Sequence, residues 1–474
     1  MARKISLACP PAPPEADPQG PGMLRKTYAI KLVTPLFGGG VETSENDPIT
    51  LIRPPSIRGH LRFWWRATRG AACESVHALR QREAEIWGST DNPSPLKIET
   101  TCKNPPPAKP CAEYLREDRN GREVYKLAWK PPFANTSLPY ALFPFQSDNK
   151  ARQPGKFIEA MAFQLDIWLP EPSQMAKRRE VYNRQRKALS LPELSPGQDD
   201  IENELEAAIW GWVNFGGIGA RTRRGCGALY CKPYAPPSLG QIPAWLRQAD
   251  ADYGPFNRAQ TRPWPLMRAE TLVHSRLQRP VDAWAESVKL MRDFRQGGTG
   301  RNAGPGRSFW PEADSLRALT GRGDARHRRS STLTHPISPG NVAFPRAALG
   351  LPIVFHFKDG ADSANDCELY PQGATRMASP LILRPLAVND GTQAVAMVLR
   401  LNTPGPESLA LKHLDALHDL PPLEKNHIAR LELADYAHSP MGHPPGRGPK
   451  RSAQGSALEA FIAFALEKGF EVAS

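Results

Sequence analysis

Residues 199–230 read DDIENELEAAIWGWVNFGGIGARTRRGCGALY, a helical pattern that runs through a basic glycine loop into a strand. Ile201, Leu205, Ala208, Ile209 and Trp212 recur at the spacing of one helix face, and Asp199 with Glu202 three residues on forms a capping box at its start. From Asn214 the periodicity stops. Five glycines follow, Gly216, Gly217, Gly219, Gly225 and Gly227, with Arg221, Arg223 and Arg224 among them, and Gly227 to Tyr230 opens a strand. A bare backbone beside guanidinium forks suits a chain of phosphates. No Gly-Lys-Ser/Thr closes a P-loop, and Thr222 stands where a Rossmann fingerprint needs its third glycine. The phosphates implied are those of a nucleic acid strand, with an ordinary solvated loop as the plainer alternative.

Upstream, Thr27 to Thr34 alternates as a strand, with Tyr28, Ile30 and Leu32 on one face, before a turn at Gly38, Gly39 and Gly40. Ser56 reads as the N-cap of a helix to Arg69, with Ile57, Leu61, Trp64 and Thr68 on its apolar side. Beside that stripe run Arg58, Arg62, Arg66 and Arg69, like charges that repel by a few tenths of a kcal/mol per neighbouring pair unless an anion lies alongside. Residues 102–155, rich in proline and polar groups, read as an insertion with a short strand at Val124 to Trp129. Ile158 to Leu169 is a long strand, linked by the basic stretch Lys177 to Lys187 to the helix before the glycine loop. This order is the βαββαβ pattern of a ferredoxin-like domain, an α+β fold expected over residues 24–234.

The length of 474 residues leaves room for a second domain, expected over 266–474 after a proline-spaced linker at 235–265. Ser315-Leu316-Arg317 repeats Ser56-Ile57-Arg58, which suggests a tandem arrangement. Leu351 to Phe357, Leu381 to Leu386 and Ala394 to Leu401 read as buried strands, and Ser456 to Lys468 as a capped helix ending at Gly469, with no final strand placed after it. Residues 1–23, crowded with prolines, are an expected disordered prefix.

The net charge of +13 favours a polyanionic partner. No run approaches a membrane span, so a cytoplasmic protein without a membrane partner is expected. Seven cysteines form no Cys-x-x-Cys pair, and neither His413/His418 nor His438/His443 has partners at zinc spacing, so no metal and no cofactor is expected. Between Met291 and Arg346 stand ten arginines and no lysine; Arg295, Arg301 and Arg307 lie in an arginine-glycine core of the kind that orders on RNA.

Three segments together resemble the RAMP superfamily of CRISPR proteins: Thr34 to Gly39, Arg53 to Ala67 and Asn214 to Gly227. Within it they resemble the first-numbered RAMP subunits of Cmr, or type III-B, effector complexes. Trp310 to Arg317 and Arg376 to Arg384 extend the resemblance into the second half. It implies two ferredoxin-like RAMP domains and a non-catalytic subunit at the head of a filament. The implied partners are the crRNA near its 3′ region, the paired target RNA and neighbouring Cmr subunits. The RNA-binding residues expected are Arg58, Arg62, Trp65, Arg66, Gly216, Gly217, Gly219, Arg221, Arg223, Arg224, Arg295, Arg301 and Arg307. Since related RAMP proteins cut RNA, an endoribonuclease processing guide precursors is the alternative, with His60 its candidate acid or base; no second base or nucleophile pairs with it, and no catalytic residue is expected. Valine at Gly217 or Gly219 is expected to weaken RNA binding with little effect on the fold.

Overall fold

The computed structural model describes residues 22–473 apart from 41–44, 48–49, 91–92, 121, 148–151, 189–200, 255, 257–261, 297–309, 322–341, 358–365, 415–422 and 425–455. The expected disordered prefix lies outside this set except for its last residues, as do Arg301 and Arg307. The first half opens with β1 (Met23–Leu32), α1 (Pro54–Ala67), α2 (Val76–Trp87) and β2 (Lys97–Thr101). A hairpin, β3 (Ala112–Arg119) and β4 (Arg122–Trp129), and a short α3 (Leu138–Leu142) fill the stretch expected to be an insertion. Then come β5 (Ala162–Pro170), α4 (Pro172–Ala188), α5 (Ile201–Phe215) and β6 (Leu229–Tyr230). The basic stretch Lys177 to Lys187 is therefore helical. The four main strands form an antiparallel sheet in the order β2-β5-β1-β6.

The second half repeats this connectivity. It comprises β7 (Leu266–His274), α6 (Pro280–Gln296), α7 (Glu312–Thr320), β8 (Ile353–Phe355), β9 (Cys367–Pro371), β10 (Leu381–Val388), β11 (Gln393–Asn402), β12 (Ser408–His413), β13 (Leu423–Glu424), α8 (Ala457–Glu467) and β14 (Phe470–Val472). Its main sheet runs β10-β11-β7-β14. Numbered within each half, the strands lie in the order 2-3-1-4 both times. The final strand missing from the sequence reading is β14, the three residues that directly follow Gly469, whose φ of +84° closes α8. One sequence-based equivalence fails: Ser315-Leu316-Arg317 lies on α7, whereas α6 occupies the place of α1.

Alternation along β10 and β11 explains how the halves join. Ile382, Leu386, Val395, Met397 and Leu399 face a core shared with Leu205, Ile209 and Trp212 of α5. Leu381, Leu383, Ala394, Ala396 and Val398 face α6 and α8. A sheet buried on both sides needs near-continuous apolar strands. The expected linker carries a helix, Ile242–Tyr253, whose Trp245 donates to the Tyr234 carbonyl at 2.9 Å and packs on Trp210.

Candidate nucleic-acid interface

Helix α1 begins at Pro54, not after Ser56. Prolines 54 and 55 fill its first two positions, where no intrahelical N–H is required, and Arg53 is the N-cap. Its buried face is Ile57, Leu61, Trp64, Trp65 and Ala67. Trp65 is 1% exposed and its Nε1 donates to Glu204, so it has no face for a base, contrary to expectation.

The arginine stripe finds its counter-charge inside the protein. Glu83 on α2 accepts from Arg62 Nε and Arg66 Nη1, both at 2.7 Å. Arg58 donates to Ser94 Oγ at 2.6 Å and to the Leu96 carbonyl at 2.9 Å. Burial, and then Arg62, lower the Arg58 pKa, but it remains charged at neutral pH. The anion that the stripe called for is thus at least partly Glu83. The sequence signal for α2 was present in Ser75, which caps it by accepting from the Ala78 N–H at 3.1 Å, and in Leu79, Ile86 and Trp87 at helical spacing. Glu83→Gln is expected to lower stability by about 1 kcal/mol, since both arginines are partly solvated, and to raise RNA affinity by freeing two guanidiniums. Thermal unfolding and RNA titration on the same protein check both signs.

The glycine loop is built into the fold. Ile218 N–H donates to the Gly227 carbonyl at 3.0 Å, Ala220 N–H to Phe37 at 2.7 Å and Gly227 N–H to Pro35 at 2.8 Å. Thr34 Oγ1 donates to the Gly225 carbonyl at 2.6 Å. These N–H groups are spent within the chain and do not point to a ligand, which corrects the reading of the loop as a bare cradle. The side chains differ in availability. Arg223 Nη1 donates to the Ser379 carbonyl, with its guanidinium 5.3 Å from the centre of the Phe63 ring. Arg224 Nη1 donates to the Leu381 carbonyl at 3.1 Å, while Trp284 of α6 donates to the Arg224 carbonyl at 2.5 Å. Arg221 is exposed and takes a left-handed φ of +57°.

Arg295, in the last turn of α6, completes this cluster. Ser287 on the same helix donates to the Arg384 carbonyl at 3.3 Å. Eight further residues of helix span about 12 Å and the three strand residues back to Leu381 about 10 Å, so Arg295 and the Arg224 anchor lie at the same end. Burial first, then Arg295, Arg221 and Arg223, push the Arg224 pKa down to about 10, so it is still charged at pH 7. Among the described residues, no carboxylate forms an ion pair with Arg221, Arg224 or Arg295. Sequence reasoning named these arginines but did not foresee that they meet across the two halves. It also missed Arg384, whose fully buried guanidinium donates to the carbonyls of Gly216, Val213 and Leu229.

His60 is half-buried, its ring 6.3 Å from that of Trp212 and nearly parallel to it; burial lowers its pKa, leaving it neutral at pH 7. Asp47 accepts from the Thr50 N–H at 2.8 Å, an ordinary turn bond. Among the described residues, no group of three or more His, Cys, Asp or Glu is placed to hold a metal, and no helix is long and apolar enough to cross a membrane. His418, His438 and His443 lie outside the described residues.

Residues 29–230 match the family model of the RAMP superfamily. Over 208 residues, 44% of this chain and 95% of the relative, the sequence is 24% identical to the CRISPR system Cmr subunit Cmr1-2 of Pyrococcus furiosus. Two solved structures are also similar. The apo form of Cmr1 from Pyrococcus furiosus is 14% identical, with a TM-score of 0.42 over 85% of this chain and 94% of that one. A chain of the type III-B Cmr-beta complex bound to cognate target RNA is 11% identical, with a TM-score of 0.42 over 88% and 99%. Over residues 29–230 the chain thus matches the RAMP superfamily, and it is similar to the Cmr1 subunits of CRISPR Cmr systems.

Proposed function

We propose that this chain is a non-catalytic RNA-binding subunit of a type III-B, Cmr-type RNA-guided complex, acting in the cytoplasm in antiviral defence. In this reading both halves are ferredoxin-like RAMP domains. The protein sits at the head of the filament, near the crRNA 3′ region and the paired target RNA, beside the backbone and capping RAMP subunits. One observation carries the RNA-binding reading: Arg221, Arg224 and Arg295 converge at the junction of the halves without a carboxylate partner among the described residues. Like charges held together at a partly desolvated surface favour an anion, and the +13 net charge extends that preference over the molecule. Arg223, on the same loop, and Arg58, Arg62 and Arg66 on α1 are further phosphate contacts, the last two in competition with Glu83, while Gly216, Gly217 and Gly219 shape the loop that carries the cluster.

Titrating single-stranded RNA at several salt concentrations tests this. The logarithm of affinity should fall with a slope of about −0.7 per phosphate neutralised. Arg221→Ala with Arg295→Ala should weaken binding by about 1.5–3 kcal/mol with little change in melting temperature. A flat salt dependence or a silent double variant would sink the reading. Discrete cleavage of labelled repeat RNA that disappears in His60→Ala would replace it with a guide-processing endoribonuclease.

A further inference from the structure

We infer that the cleft between the Gly38–Gly40 turn, the start of α1 and the glycine loop is a pocket for one unpaired nucleobase of the bound strand, an inference that rests on the RNA-binding reading above. The cleft has a volume of about 300 Å³, at the small end of ligand pockets. Leu36, Ile52, Ile57 and Ile218 line it with aliphatic surface. Its polar side chains are Arg53, Ser56 and His60, and among the described residues none has a hydrogen-bond or ion-pair partner. The two glycine walls lie close together: a Cβ on Gly39 would stand 3.8 Å from the Gly219 Cα.

These features define the occupant chemically. Aliphatic walls favour a flat apolar face. A neutral imidazole offers one donor and one acceptor, suited to the mixed hydrogen-bonding edge of a base and not to a second charge. Among the described residues no carboxylate lines the cleft, and arginines stand nearby in the chain, Arg53 in its wall and exposed Arg221 two residues beyond Gly219. A ligand with an apolar face, a polar edge and attached negative charge is a nucleotide. The base would enter the cleft while its phosphates meet the flanking arginines. Neither phosphate binding alone nor a solvated groove needs aliphatic walls beside a half-buried histidine that has no hydrogen-bond partner among the described residues.

The test compares the four ribonucleoside 5′-monophosphates with ribose 5-phosphate, which lacks the base, on the full chain by ligand-observed NMR, with single-stranded RNA titrated in parallel. At least one nucleotide should bind about tenfold more tightly than ribose 5-phosphate, the scale of one accommodated base. Ser56→Trp, which fills the cleft from the helix surface, and His60→Leu, which removes the hydrogen-bonding edge, should each bring that ratio near one. Equal binding of nucleotide and sugar phosphate, or a preference that survives both variants, overturns the pocket while RNA binding stands. Loss of RNA binding in the unaltered protein overturns the parent reading, and the pocket with it.

Discussion

Valine in place of Gly219 is expected to lower the melting temperature by roughly 10 °C, the shift produced by about 3 kcal/mol in a domain of this size. Gly219 has φ +79°, and a Cβ there would stand 2.3 Å from Leu36 Cδ1 and 2.4 Å from the Phe37 carbonyl oxygen. The leucine can rotate, but the carbonyl belongs to backbone that already accepts the Ala220 N–H. A left-handed conformation alone costs a non-glycine residue about 1–2 kcal/mol, and overpacking adds about 1–3 kcal/mol. Gly217→Val is expected to act in the same direction, because its Cβ would meet the Gly227 carbonyl at 2.7 Å. This reverses the expectation from sequence, in which valine spared the fold. Differential scanning calorimetry decides: an unchanged melting temperature with weakened RNA binding would restore the bare-cradle account.

Arg384→Met is expected to cost about 2–4 kcal/mol and to loosen the two halves from each other. The Arg384 guanidinium lies at 0% exposure, with Nη2 3.2 Å from the Val213 carbonyl and 3.0 Å from that of Leu229, Nη1 on Gly216, and Nε 3.0 Å from its neighbour Pro385. Val213 and Gly216 belong to the end of α5, where helical carbonyls lack intrahelical donors and a cation is favoured by the dipole. A strand of the second half thereby caps a helix of the first. Burial pushes the arginine down to about 9, so it enters the core charged at pH 7, and methionine would remove that desolvation cost. The orphaned carbonyls cost about 1–3 kcal/mol each and outweigh the relief. Denaturant unfolding should show Arg384→Lys recovering part of the loss; a methionine variant as stable as the parent would remove the capping argument.

Periodic patterns made much of the secondary structure legible. The apolar face of α5, the alternation of β1 and the continuous runs of β10 and β11 each record which face is buried, and one local stretch carries that information. The capping box at Ser456 was read correctly for the same reason: Ser456 Oγ accepts from the Glu459 N–H three residues on. The final strand escaped notice because three residues, Phe470–Val472, carry no period, and their pairing with Leu272 to His274 lies far away in the chain.

By itself, the sequence determined where several of the main helices and strands lie and that the chain is strongly basic, because periodicity and charge are local properties. Only the tertiary structure decided what each basic or glycine residue is for. Arg62 and Arg66 are compensated because α2 brings Glu83 beside them, whereas Arg221 and Arg295, some seventy residues apart in the chain, meet no carboxylate among the described residues. The glycines were legible as a loop, but whether they make room for a ligand or for the protein's own backbone depends on Phe37 and Trp284 arriving from distant segments. Charge compensation and close packing are pairwise quantities, and the partner in each pair is chosen by the fold.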